Sequence, residues 1–139
     1  MASLFGTLFA GTPPPAPGLD GVKLVPCPDR PNCVSSHAAD SGHAIAPLAM
    51  HNDPAASMAE LADAIRAMPG ATVITARPDY IHAEFASTVF GFVDDVEFVP
   101  DAGANVIDVR SAARLGVSDF GVNRDRVEAI RSTFAARKH

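Results

Sequence analysis

The sequence contains no tryptophan and a single tyrosine, Tyr80, so it has no aromatic platform on which nucleic-acid bases could stack. It lacks positive charge as well. Eleven Lys and Arg face sixteen Asp and Glu, giving a formal net charge of −5, and a general DNA- or RNA-binding surface is not expected. Long apolar runs are missing. None approaches the roughly 18–20 residues that cross a bilayer. The apolar start, Ser3-Leu-Phe-Gly-Thr-Leu-Phe-Ala10, is short and has no Lys or Arg before Lys23, so it does not read as a secretory signal. The expected mature start is at or near Met1, and the expected location is the cytoplasm. The alternative for this tip is peripheral membrane contact through Leu4, Phe5, Leu8 and Phe9, spaced as on one helical turn. What is present is ordinary for a globular chain: 139 residues, 47% hydrophobic and 19% charged, enough for one domain with its own core.

Punctuation by proline and glycine divides the chain. Pro13, Pro14, Pro15 and Pro17, with Gly11 and Gly18, make an extended linker. Residues 1–18 are therefore tip and linker, and 19–139 a single domain. Pro26, Pro28, Pro31 and Pro47 block helix over the long stretch that follows. Asp53 then offers an N-cap, Pro54 suits the first helical position, and Met58, Leu61, Ala62, Ile65 and Met68 repeat at helical spacing until Pro69-Gly70. Four strands are expected at about 71–76, 80–87, 94–99 and 105–112, separated by short turns that favour an antiparallel meander. A last helix is expected from about 124 to 136, capped by Asn123, with Val127, Ile130 and Phe134 inward. The fold class is α+β: a mainly antiparallel four-stranded sheet with two helices on one face and a Pro-rich N-terminal arm.

Three strings stand out: Cys27-Pro-Asp-Arg-Pro-Asn-Cys-Val-Ser-Ser36 with His43-Ala-Ile-Ala-Pro-Leu48; Tyr80-Ile-His-Ala-Glu-Phe-Ala-Ser87 with Phe90-Gly-Phe-Val-Asp-Asp-Val-Glu-Phe98; and Ile107 through Arg124. Together they resemble domain-of-unknown-function family 1499 (DUF1499), and they cover most of the chain from about Gly18 to the final helix. The resemblance implies a bacterial family and no particular reaction.

Cys27 and Cys33 are the only cysteines. Four readings are open: buried free thiols, a redox pair, a disulfide, or, with His37 and His43, a Cys₂His₂ zinc site. A cytoplasmic chain favours reduced thiols, and the expectation is reduced cysteines, no metal and no cofactor.

Strand alternation places His82, Glu84, Asp95, Glu97, Asp108 and Arg110 on one sheet face. The plain reading is a solvated face with cross-strand ion pairs; the sharper one is a face that holds a ligand or ion, or works as acid and base. The order of residues is inferred, and a bulge near Gly91 would change it. Arg110, Ser111, Arg114, Ser118, Asp119 and Arg124 crowd the entry to the last helix, where free N–H groups and arginine forks suit an anion. The opposing reading pairs these arginines with nearby aspartates.

The expected function is a binding or accessory module that recognises a small anionic ligand or a protein partner, through Arg110, Ser111, Arg114, Ser118, Asp119, Arg124, Asp95 and Glu97. The alternative is a hydrolytic or thiol-dependent enzyme using Cys33, His82 and Glu84.

Overall fold

Helix α1, Pro54–Arg66, begins as its sequence dictates. The Asp53 carboxylate accepts a hydrogen bond from the Ala56 N–H at 2.9 Å, and Pro54 opens the first turn. Met58, Leu61 and Ile65 line its buried side. Gly70 then turns the chain at φ +78°; a Cβ there would lie 2.9 Å from the Ala86 carbonyl, so only glycine fits.

A computed structural model describes residues 24–87, 92–116 and 119–137. The apolar tip, the proline-rich linker, Gly91 and Ser118 lie outside the described residues. Within them are six strands: β1 (Cys33–Ser35), β2 (Leu48–Ala49), β3 (Ala71–Arg77), β4 (Tyr80–Ala86), β5 (Val93–Asp101) and β6 (Val106–Ala113). Helix α2 spans Val122–Ala135. The sheet order is β1-β6-β5-β4-β3, with β2 also pairing β6, and every strand pairing is antiparallel. The meander β3–β6 matches the four expected strands. The two further strands, three and two residues long, come from the proline-rich stretch and pair with β6, and Ser35 of β1 also bonds the backbone of His43 and Ile45 in an isolated parallel bridge to Ala44.

Both helices share one core with the apolar side of the sheet. Ile81, Phe85, Val96, Phe98, Ile107 and Val109 meet Leu61, Ile65, Val127, Ile130 and Phe134 there. Fully burying such a side chain contributes about 1.5–3 kcal/mol. Val73, expected in this core, only packs against it. Its strand is at the edge of the sheet, and the register with β4 shifts between Val73 and Thr75. The extra residue, Ile74, is 50% exposed.

The start of α2 corrects the expected cap. Gly121, in the left-handed region at φ 84°, is the N-cap, with no side-chain capping bond of its own. Asn123 lies inside the helix and is fully buried. Its amide donates to Asp119 at 2.8 Å, and its carbonyl accepts from the Ser111 hydroxyl at 2.5 Å.

Candidate functional site: the polar face of the sheet

Cross-strand register brings the polar residues together in rows. Ser35 stands opposite Arg110, Arg110 opposite Glu97, and Glu97 opposite His82. In the next row Cys33 faces Ala112, Ala112 faces Asp95, and Asp95 faces Glu84. The face expected from alternation therefore exists, but it is not solvated. His82, Asp95, Glu97, Asp108 and Arg110 are each at most 9% exposed. Taking an ion out of water costs several kcal/mol unless partners replace the water, and the partners fall into three groups.

The first group centres on Asp95. His82 Nε2 lies 2.7 Å from Asp95 Oδ1. Arg114 donates to both Asp95 oxygens, from Nε at 2.6 Å and Nη2 at 2.8 Å, and Nη2 also donates to Glu84. Burial pushes the Asp95 carboxyl up, but the hydrogen bonds from Arg114 and His82 outweigh it and hold its pKa below the ordinary value. The bonds to Asp95 raise the pKa of Arg114 and keep it charged. His82, Glu84 and Asp95 present ligand atoms within 4.8 Å of one another, the spacing a divalent ion would need. Arg114 already engages both carboxylates, so an ion would have to displace the guanidinium.

The second group is incompletely paired. The Tyr80 hydroxyl donates to Glu97 Oε2 at 2.5 Å. Burial, then the Glu97 carboxylate, push the Tyr80 pKa up, so it stays a donor. Arg110 Nη1 lies 3.7 Å from Glu97 Oε1, close enough for charge attraction and too far for a hydrogen bond. Arg110 Nε and Glu97 Oε1 are both buried without a hydrogen-bond partner. Burial lowers the Arg110 pKa, against the pull of Glu97, Asp95 and Tyr80. At the margin, the Arg77 guanidinium lies 5.6 Å from the Tyr80 ring centre, with Nη2 unpartnered.

The third group is Asp108, which accepts from the Ser36 hydroxyl at 2.9 Å and lies 3.3 Å from His37 Nε2.

The residues expected around the last helix are dispersed. Arg110 and Arg114 turn into the sheet face. Arg124 donates to the carbonyls of Ala44, at 2.8 Å, and Gly42, at 3.3 Å. The Asp119 carboxylate accepts from the backbone N–H groups of Gly121 and Asn123 at 2.8 and 3.2 Å, filling the place an external anion would take at this helix start. Ser111 lies on the helix side of the sheet, bonded to Asn123.

The cysteine expectation is corrected. Cys27 and Cys33 form a disulfide with a Cα–Cα distance of 5.6 Å, the separation such a bridge needs. Between them the chain turns tightly, the Arg30 N–H donating to the Pro28 carbonyl and the Asn32 N–H to the Arg30 carbonyl, each at 2.8 Å. With both sulfurs consumed, no Cys₂His₂ site remains. His37 faces Asp108, and His43 contacts Asp40 at 2.6 Å and the Arg30 carbonyl at 2.8 Å. Cys33 is also remote from His82. Three strand spacings separate β1 from β4, about 14 Å.

Sequence reasoning passed over Tyr80 and Arg77 as site residues. Tyr80 has the same alternation as His82 and Glu84, which was the available signal. Arg77 reads as a turn residue, and only the pairing of Arg77 with Tyr80 puts it beside the face.

Among the described residues, no helix is long and apolar enough to cross a membrane. No curated protein and no solved structure matches the chain. Residues 23–134 match the family described as "Protein of unknown function (DUF1499)". With that match spanning most of its length, the chain belongs to the DUF1499 family.

Proposed function

We propose that this protein is a binding module whose site is the polar face of the sheet, and that Arg110 receives an anionic oxygen group of a small ligand there. The observation that carries the reading is the buried, unpartnered Nε of Arg110 beside the equally unpartnered Oε1 of Glu97. Native interiors rarely leave such groups unpaired, because each costs about 1–3 kcal/mol. Of the three arginines expected to serve an anion, Arg114 is committed to Asp95 and Glu84, and Arg124 to backbone carbonyls. Arg110 retains donor capacity, and Arg77 adds a second guanidinium with a free donor at the edge. Solvent reaches the face at its margins, where the Glu84 side chain is 29% exposed and that of His37 54%.

Thermal shift against phosphate, sulfate and small carboxylates tests this. A ligand at 100 times its dissociation constant adds about 2.7 kcal/mol of stability, a shift of several degrees. Wild type should respond and Arg110→Lys should respond less, because lysine lacks the forked donors. An absence of any shift in wild type, with these anions and with small amino acids and aminoalkyl phosphates alike, would end the reading.

The His82–Asp95 contact favours a second reading, a hydrolase with His82 as acid or base. Ester and phosphoester substrate panels with wild type and His82→Ala test it. The thiol-dependent form of that reading loses its nucleophile to the disulfide.

A further inference from the structure

We infer that the ligand of the polar face is a small zwitterion, its anionic oxygens on Arg110 and its protonated nitrogen on Glu97 Oε1. This rests on the proposed binding role of the face and narrows its ligand class.

Two observations select a zwitterion over a simple anion. The first is that the unpaired groups are complementary. Arg110 Nε can only donate and Glu97 Oε1 can only accept. A carboxylate or phosphate satisfies the first and leaves the second bare. Tyr80 fixes Glu97 through its other oxygen, so Oε1 stays turned toward Arg110. A ligand with a protonated amine next to an acidic group answers both at once, as charge-assisted bonds of the stronger kind.

The second observation is charge balance. On this face Arg77 is matched by Asp79, Arg110 by Glu97, and Arg114 by Asp95. Glu84 shares Arg114 with Asp95, and only His82 and His37 remain as further positive charges for Glu84 and Asp108. Even with both histidines protonated, these described residues hold no surplus of positive charge. A simple anion would add an uncompensated negative charge to a buried face, and a simple cation would leave Arg110 unanswered. A zwitterion leaves the balance unchanged. Nη1 of the same guanidinium lies 3.7 Å from Glu97 Oε1, so the two charges of the ligand must be only a few bonds apart, as in an α-amino acid or an aminoethyl phosphate.

Isothermal titration of the full chain tests the inference with matched probes: acetate against glycine, inorganic phosphate against O-phosphoethanolamine, and ethylamine alone. In at least one matched pair the zwitterion should bind about tenfold tighter than its anion, the gain from one added charge-assisted bond. Glu97→Gln, checked for folding by circular dichroism, should reduce that advantage to about twofold or less, since the nitrogen's partner loses its charge, while the simple anion binds at least as well as before because Arg110 loses its ion-pair partner. Glycine betaine gives an independent reading without a variant, because its methylated nitrogen keeps the charge and has no N–H to donate; it should lose most of glycine's advantage over acetate. Where phosphoethanolamine alone binds, phosphocholine takes the same role. Simple anions binding as tightly as their zwitterions would overturn the inference and leave the anion-receiving role of Arg110 standing. Binding by none of the probes would overturn both.

Discussion

Replacing Arg114 with alanine removes one guanidinium that donates twice to Asp95 and once to Glu84. The Arg114 side chain is 6% exposed and that of Asp95 5%, so water does not replace the lost donors. Stranding a buried carboxylate in this way costs about 3–5 kcal/mol, against about 0–1 for an exposed pair. For a chain of this length that is a fall in melting temperature on the order of 10–20 °C. The loss should depend on pH. Asp95 has a depressed pKa in the folded protein, so its contribution is present above the unfolded value, about 3.9, and is lost as pH falls through the folded one. The gap between wild type and Arg114→Ala should therefore be full at neutral pH and close progressively below about pH 4. Arg114→Lys should fall between the two, keeping the charge without the fork. Urea denaturation of the three proteins at pH 7 and at about pH 3 measures all of this. A loss under about 1 kcal/mol at pH 7, or a gap that acid leaves unchanged, would refute the assignment of Arg114 as the partner of a buried carboxylate.

Phe98→Ala should cost about 3–5 kcal/mol, since Phe98 is fully buried between sheet and helices; an effect near 1 kcal/mol would contradict the strand register. Tyr80→Phe takes away the hydroxyl on Glu97 Oε2 and should cost about 1–3 kcal/mol in denaturation; a neutral outcome would mean that water reaches this carboxylate. Non-reducing mass spectrometry after alkylation should find Cys27 joined to Cys33, and Cys27→Ser should lower stability by roughly 2 kcal/mol for so short a ring; two freely alkylated thiols in the folded protein would overturn the bridge. His43 is raised above the ordinary histidine pKa by the Arg30 carbonyl first and Asp40 second. Its contribution is therefore full below the unfolded value and disappears as pH rises through the folded one. An NMR titration should place its midpoint above that of a free histidine, and a midpoint at or below it would remove the contact.

Much of the fold was legible because it is written locally. The Asp53-Pro54 start, the apolar spacing of α1 and the alternation of β4 to β6 each declare their element within a few residues, and the polar row from His82 to Arg110 follows from the same alternation. What could not be read depends on partners far along the chain. The strands Cys33–Ser35 and Leu48–Ala49 are too short to show a period, and they are strands because β6 offers them a partner. Alternation tells which side of a strand His82 occupies but not whether that side meets water, so the burial of the polar face was invisible. The clustering of Arg110, Arg114 and Arg124 in sequence was misleading for a related reason. Arg110 and Arg114 keep to one face of the sheet while Ser111 turns to the other, and Arg124, already in the helix, reaches the carbonyl of Ala44 instead.

The pairing of the N-terminal arm with β6 sets a timetable for biosynthesis. Cys33 and its partner Ala112 are joined only after the residues between them have been made, and at ribosomal speeds of about 5–20 residues per second that interval is roughly 4–16 s. Throughout it β1 has no strand to join, and the amide of Asn123, which lies 91 positions beyond Asn32, has yet to reach the Asn32 carbonyl. The meander, closed by short turns, needs no such wait. For those seconds the cysteine segment is a nascent peptide with both sulfurs open to whatever oxidant or partner the surroundings provide. The Cys27–Cys33 bridge needs only its own segment and can close before the sheet that will hold the arm is complete.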